Sequence, residues 1–320
     1  MKKKLAIASA LLVAILVGLY GYFVHSYSRV SPPTAGVIKH QSLTAEGIER
    51  HFQYYIPSQH KPAASLLFAL HGSMGDGDGM RWQTGYGFEY IAEQDNVIVV
   101  YPDGFDNHWN DCRASASYSA NTQNINDIAF FKGMIEYFTN TYQIDPQAVF
   151  ATGASNGGHM TYKLGLTLPD SFTAIAPIIA NMPEAANLDC EPQNKPISVA
   201  ILNGLLDPIN PFDGGKVVLF GNDSRGTVLS SNESIQYWLQ LASDIPPAPA
   251  ISLLGNSAKL ESWQTDGYQF KLFHLTDTGH VIPSSKVRFG RLMGPNNSGV
   301  EAVDEIWSFF KSVKHTPPPI

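Results

Sequence analysis

Residues 149–158 read VFATGASNGG, and this stretch predicts both a fold and a reactive side chain. A short apolar strand leads into a Gly-x-Ser-x-Gly turn, and a helix follows from about Asn156. Gly153 and Gly157 would lie against neighbouring backbone, where a Cβ would clash. The hydroxyl of Ser155 would then project above the sheet edge, as in a nucleophile elbow. The alternative is a glycine-rich connection with an incidental serine, because such short motifs also arise by chance.

Apolar runs and amphipathic segments alternate on both sides of this turn. Strands are predicted at residues 50–56, 65–70, 97–101, 172–176, 196–202 and 268–275. Helices are predicted at residues 80–93, 126–142, 231–242 and 300–313. This alternation is typical of a mostly parallel sheet covered by helices on both faces. We therefore expect one α/β domain over residues 40–320.

A carboxylate and an imidazole follow the serine in the chain order that triads of such folds show. Asp207 comes directly after the strand at 196–202, although Asp-Pro also occurs in ordinary turns. His280 follows the strand at 268–275, in a loop from which it could reach Ser155. These three residues are the predicted triad.

Other histidines compete less well for the role of base. His274 lies within a predicted strand, His159 lies on the helix that follows the serine, and His71 precedes the serine in the chain. In the predicted reaction the base takes the serine proton, and the carboxylate holds the imidazole tautomer. The backbone amides of Asn156 and Ser73 are the expected oxyanion donors. No metal or cofactor is expected, since no cluster of ligands at suitable spacing is seen.

The N-terminus carries three lysines and then an apolar run from Leu5 to Val24. This run is long enough to cross a bilayer at roughly 1.5 Å per residue, and longer than the apolar stretch of about 7–15 residues in a signal peptide. Tyrosines near its end suit a membrane interface, and no Ala-x-Ala pattern follows. We expect residues 1–30 to be an uncleaved anchor facing the periplasm or exterior, with a cleaved signal and secretion as the alternative. Residues 31–39 are the expected linker.

The cysteine content bears on the compartment of the protein, and the net charge bears on its partners. Cys112 and Cys190 are the two cysteines, and in an exported chain they predict one disulfide, with two buried thiols as the alternative. The net charge of −7 and a pI near 5.8 provide no basic surface for nucleic acid. The expected partners are an ester substrate for the predicted serine chemistry, small or oligomeric, and a membrane through the N-terminal segment; nucleic acid is not expected.

Seven motifs appear in order along the chain: residues 70–72 (LHG), 101–104 (YPDG), 109–113 (WNDCR), 126–131 (NDIAFF), 153–158 (GASNGG), 204–208 (GLLDP) and 279–283 (GHVIP). Together they resemble the family of polyhydroxybutyrate depolymerases and feruloyl or acetylxylan esterases, from about residue 40 onward. The resemblance implies an α/β-hydrolase fold and a serine esterase with Ser155, Asp207 and His280 as its triad.

Two positions depart from that family and bear on the substrate. The family often has Trp where Ile282 stands, and a hydrophobic residue where Asn210 stands. Ile282 is a candidate pocket residue, and Trp109 is another, with a packed core position as its alternative. No polymer-binding module follows the domain in this sequence, which favours soluble oligomers or small esters. A peptidase, an acyltransferase or a non-catalytic binding protein on the same fold are the alternative functions.

Overall fold

The computed structural model describes residues 2–297 and 299–314. Its α-helices are α1 Lys2–Phe23, α2 Gly77–Gln83, α3 Gly87–Asp95, α4 Ser119–Thr122, α5 Asp127–Tyr142, α6 Asn156–Thr167, α7 Ser231–Ala242 and α8 Ala302–Lys314. Its strands are β1 Tyr27–Ser28, β2 Val37–Ala45, β3 Ile48–Ile56, β4 Ser65–Leu70, β5 Val97–Pro102, β6 Val149–Ala154, β7 Ala174–Ile178, β8 Ser198–Gly204, β9 Gly215–Lys216, β10 Thr227–Val228, β11 Ala250–Leu254, β12 Ala258–Thr265, β13 Tyr268–Leu275 and β14 Val287–Arg288.

A ten-stranded sheet forms the centre of the molecule, in the order β11-β12-β13-β8-β7-β6-β4-β5-β3-β2. The six strands from β13 to β5 are mutually parallel, and antiparallel strands extend both edges. The predicted α/β fold class is therefore confirmed. Because the parallel strands run in one direction, the carboxyl ends of β6, β8 and β13 meet at one edge.

Helices cover both faces of this sheet. Alternate side chains of β4 enter different clusters, with Phe68 packed towards Phe131 of α5 and Leu67 on the opposite side with α3 and α8. On that second side Phe150 stacks on Phe310 with ring centroids 4.6 Å apart. Burial on both faces explains why the central strands read as continuous apolar runs.

Several predicted boundaries need correction. The helix predicted at 80–93 is two helices, because Gly85 and Tyr86 adopt left-handed dihedrals that end α2. The strand predicted at 172–176 is β7, Ala174–Ile178, since a 3₁₀ turn precedes it. Strands β2, β11 and β12 were not predicted. β2 and β11 are the two edge strands and β12 lies next to β11, and their partly exposed residues do not form long apolar runs.

Cys112 and Cys190 form a disulfide with Cα atoms 5.1 Å apart, so the alternative of two free thiols is wrong. The bridge ties the loop after Trp109 to the segment that follows β7. An isolated β-bridge between Arg113 and Leu188 joins the same two segments. The loop beside α6 is thus held by a covalent bond.

Helix α1 lies outside the hydrophobic clusters on both faces of the sheet. Its mean hydropathy over an 18-residue window is 2.2 and none of that window is buried, so by length and composition it could cross a membrane, as a signal sequence also could. Beyond it, β2 begins at Val37, inside the stretch that the sequence assigned to a linker.

Candidate active site

Ser155 occupies the turn between β6 and α6. Its dihedrals are φ 55° and ψ −119°, a strained conformation of the kind that costs about 1–3 kcal/mol and is typically found at functional sites. A Cβ on Gly157 would meet the carbonyl oxygens of Leu70 and His71. Glycine at this position therefore lets the elbow approach the neighbouring strand, as the sequence predicted.

The structure brings the three predicted triad residues together. His280 Nε2 lies 2.8 Å from Ser155 Oγ, and His280 Nδ1 lies 2.7 Å from Asp207 Oδ2. Because a carboxylate can only accept, Nδ1 carries the imidazole proton and Nε2 is free to accept the serine hydroxyl. The tautomer required of a general base is therefore the one that these contacts favour.

Backbone contacts fix the acid and the base in turn. The other oxygen of Asp207 accepts hydrogen bonds from the amides of Ile209 and Asn210, at 2.8 and 2.9 Å. The amide of His280 donates to the carbonyl of Met293 at 2.6 Å. Both side chains are almost fully buried. These contacts therefore hold the imidazole of His280 close to Ser155.

Asn156 is the first residue of α6, and the first amides of a helix have no intrahelical acceptor. Its side chain is fully used elsewhere, since Oδ1 accepts from the Trp109 amide at 2.8 Å and Nδ2 donates to Asp111 at 2.6 Å. The Ser73 loop lies opposite, where a Cβ on Gly72 would be 3.4 Å from the Cβ of Ser155. Ser73 lines the same cleft as Ser155, and Asn156 directly follows the serine in the chain.

The expectation for Trp109 needs correction. Trp109 is fully buried and is not one of the described residues that line the pocket. Its indole N–H donates to the carbonyl of His71 at 2.9 Å, and its backbone pairs with Asn156. The alternative of a packed core tryptophan is the correct one. Ile282, by contrast, does line the pocket.

Sequence reasoning missed the buried ion pair of Asp111 and Arg113, whose charged atoms are 2.6 Å apart. Burial alone would raise the pKa of Asp111, but the Arg113 guanidinium outweighs it and holds that pKa below its usual value. Asp111 is therefore charged where it accepts from the side chain of Asn156. The WNDCR motif marked these residues, but nothing local in it indicated their contact with α6.

The buried ring of His71 makes two hydrogen bonds that fit its neutral form. Its Nε2 accepts from the amide of Gly104 at 2.9 Å, so Nδ1 carries the proton and donates to the carbonyl of Gly72 at 2.7 Å. Burial lowers its pKa to about 4. The ring thus connects the loop that follows β4 to the loop that follows β5.

This lowered pKa predicts a loss of stability in acid. Above the usual pKa of about 6.5, His71 is neutral in both the folded and the unfolded chain. Between pH 6.5 and the folded pKa of about 4, only the unfolded chain binds the proton. Over that window His71 should cost about 3 kcal/mol of unfolding free energy. In urea unfolding from pH 7 to 4, His71→Gln should remove that much of the pH dependence. His40→Gln, at an exposed position, should remove none, and equal slopes for wild type and His71→Gln would contradict the prediction.

The serine opens into a cleft of about 290 Å³. Its wall is mainly apolar, with Ile179, Ile209, Val217, Leu219 and Ile282 among its members. Arg113, Tyr118 and Arg225 form a polar side, where Arg225 Nε donates to the Tyr118 hydroxyl at 2.8 Å. Over residues 2–297 and 299–314 no cluster of His, Cys, Asp and Glu that could hold a metal is found.

A nucleophile elbow, with an acid and a histidine on later loops at the carboxyl edge of a parallel sheet, defines an α/β-hydrolase with a Ser-His-Asp arrangement. No family model matches the chain. The chain is 30% identical over 208 residues to feruloyl esterase C of Emericella nidulans, covering 61% of this chain and 69% of that protein. It therefore belongs to the feruloyl and acetylxylan esterase-like family of α/β-hydrolases.

Other relatives match over shorter stretches. The probable feruloyl esterase C of Aspergillus niger is 32% identical over 154 residues, which are 47% of this chain and 51% of that protein. The chain thus spans only about half the length of this relative. Among solved structures, an acetyl xylan esterase from Aspergillus awamori has a TM-score of 0.55 at 17% identity, covering 85% of this chain and 99% of that one. That likeness supports the α/β-hydrolase fold.

Proposed function

We propose that this chain is a serine esterase that hydrolyses carboxylic esters through an acyl-enzyme on Ser155. The observation that carries the proposal is the unbroken hydrogen-bonded series from Ser155 through His280 to Asp207, at the base of an apolar cleft. A buried carboxylate, an oriented imidazole and a hydroxyl in this order are the elements that activate a serine nucleophile.

In the first half of the reaction, Ser155 Oγ attacks the ester carbonyl while His280 Nε2 takes the hydroxyl proton. The carbonyl oxygen becomes an oxyanion, for which the amides of Asn156 and Ser73 are the donors, each worth roughly 3–4 kcal/mol in comparable sites. Asp207 stabilises the imidazolium without taking the proton. The ester C–O bond then breaks, and His280 gives its proton to the departing alcohol.

In the second half, water replaces the alcohol. His280 takes a proton from water as the hydroxide attacks the acyl carbon, and a second oxyanion forms in the same site. Its collapse breaks the bond to Ser155, to which His280 returns the proton. The products are a carboxylic acid, an alcohol and the unchanged enzyme.

The substrate class is proposed from the relatives and from the cleft. The names of the relatives point to feruloyl esters and acetylated xylan, and the resemblance noted above adds soluble hydroxybutyrate oligomers. The apolar wall that includes Ile282 suits the acyl or alcohol group of a small ester.

The proposed location is outside the cytoplasm, with α1 as a membrane anchor or, if cleaved, as a signal. The disulfide between Cys112 and Cys190 supports export, because such bridges persist in oxidising compartments. The apolar length of α1 supports the anchor.

A substrate panel tests the proposal. Purified protein is assayed on p-nitrophenyl acetate, methyl ferulate, acetylated xylan, a hydroxybutyrate trimer and a peptide p-nitroanilide. We expect at least one ester to be hydrolysed with kcat/KM of the order of 10⁴ M⁻¹ s⁻¹ or more, and the anilide to be cleaved far more slowly. Faster cleavage of the anilide would make the protein a peptidase. Inertness to all five and to a fluorophosphonate probe would make it a binding protein.

A further inference from the structure

The chain that follows α1 is bound to the catalytic domain. We call residues 21–30 the juxtamembrane segment. Within it β1 pairs antiparallel with β14, with Tyr27 opposite Arg288 and Ser28 opposite Val287. The amide of Arg29 adds a hydrogen bond of 2.8 Å to the carbonyl of Lys286. This segment therefore docks by forming a two-stranded sheet with β14 and is held by backbone hydrogen bonds.

Arg288 joins the end of α1 to the same place. Its guanidinium donates to the carbonyl of Gly21 at 2.8 Å and also to the carbonyl of His25. A cation is favoured at a helix C-terminus, where the last carbonyls have no intrahelical partner. The contact thus fixes the last turn of α1 relative to the domain.

Close approach at Gly290 completes the docking. Its amide donates to Ser26 Oγ at 2.9 Å, and a Cβ at this position would meet the carbonyl of Phe23. Residues 286–293 therefore lie directly against the juxtamembrane segment. The same stretch ends at Met293, whose carbonyl accepts the amide of His280. One short stretch thus contacts both the anchor and the loop of the proposed base.

The juxtamembrane segment also reaches the cleft of the proposed nucleophile. Phe23, Val24 and Ser26 line the same cleft as Ser155 and His280. Three apolar residues of the stretch 286–293 line the cleft together with them: Phe289, Leu292 and Met293. Apolar side chains therefore line this part of the cleft, and Phe23 and Val24 of the juxtamembrane segment are two of them.

The outer rim is exposed as well as apolar. Phe23 is 41% exposed and Leu292 is 50% exposed. A helix of 22 residues is about 33 Å long, close to the thickness of the hydrocarbon core of a bilayer. The rim therefore lies next to the point where α1 would leave a membrane.

We propose that the juxtamembrane segment is a wall of the substrate pocket, and that this wall selects esters with an apolar acyl chain long enough to extend from Ser155 to Phe23. The proposal rests on the esterase function proposed above. It makes the end of α1 part of the enzyme's specificity, so that a form cleaved near residue 30 would lack this wall.

The test uses the full chain in detergent micelles and compares p-nitrophenyl octanoate with p-nitrophenyl acetate. Phe23→Ala should lower the octanoate-to-acetate ratio of kcat/KM by about tenfold, the discrimination that loss of a few apolar contacts produces. Tyr20→Ala is the matched control, since Tyr20 is an exposed aromatic of α1 that lies outside the juxtamembrane segment and does not line the cleft, and it should keep the wild-type ratio. Arg288→Gln should lower the ratio in the same direction by releasing the segment.

The outcomes separate the two proposals. If wild type hydrolyses both esters and Phe23→Ala keeps the wild-type ratio, the wall is overturned while the esterase stands. An equal drop in Phe23→Ala and Tyr20→Ala would also overturn it, because the effect would then not come from the cleft. If wild type hydrolyses neither ester and Ser155 resists a fluorophosphonate, the esterase function fails and the wall fails with it.

Discussion

Ser155→Ala is expected to lower the hydrolysis of p-nitrophenyl acetate by up to about a million-fold in kcat. The hydroxyl of Ser155 is the proposed nucleophile, and the 2.8 Å contact with His280 is the one through which its proton leaves. Without it, the remaining catalysis would come from binding and from the oxyanion donors.

The measurement is a steady-state assay accompanied by fluorophosphonate labelling and mass spectrometry. Ser243→Ala is the matched control, because Ser243 lies at the end of α7 and does not line the cleft. This control should keep wild-type turnover and labelling. Turnover retained in Ser155→Ala, with unchanged labelling, would put the nucleophile elsewhere and remove the basis of the proposed mechanism.

The triad candidates could be chosen from the sequence because each follows a strand in a simple way. Ser155, Asp207 and His280 come just after β6, β8 and β13, and these strands are parallel. Parallel strands place their carboxyl ends at one edge, so residues far apart in the chain meet there. Chain order and strand position were therefore enough to choose His280 over His274, which lies within β13.

The supports of the site could not be predicted in the same way. Asp111 contacts Asn156 through a side-chain hydrogen bond across 45 positions, and no periodicity or spacing in the sequence encodes such a contact. Trp109 shows the same limit, since an aromatic residue beside a motif suits a pocket wall as well as a core. Only its indole contact with the carbonyl of His71 decides between the two.

The docking of the juxtamembrane segment was equally hidden. Strands β1 and β14 have two residues each and lie about 260 positions apart, so neither gives a strand signal in the sequence. The sequence assigned residues 1–30 to an anchor or signal by apolar length alone. Apolar length alone could not indicate that Phe23 lines the cleft, because the position of Phe23 depends on the contacts that Arg288 and Gly290 make.

Asp207→Asn should lower kcat by about ten-thousand-fold while leaving the fold intact. The reason is the tautomer of His280. The amides of Ile209 and Asn210 would still require an acceptor, so the asparagine oxygen would face them and its NH₂ group would face Nδ1. Nδ1 would then have to accept, which moves the imidazole proton to Nε2, the atom that must receive the proton of Ser155.

The control for this variant is Asp277→Asn, which makes the same chemical change three residues before His280. Asp277 is exposed and has a left-handed φ of 47°, which asparagine tolerates, so its turnover should stay within about twofold of wild type. Steady-state assays of both variants, with circular dichroism to check folding, make the comparison. Asp207→Asn within tenfold of wild type would mean that the carboxylate does not set the tautomer, because isosteric replacement leaves position and packing unchanged and alters only which atom of the imidazole holds the proton.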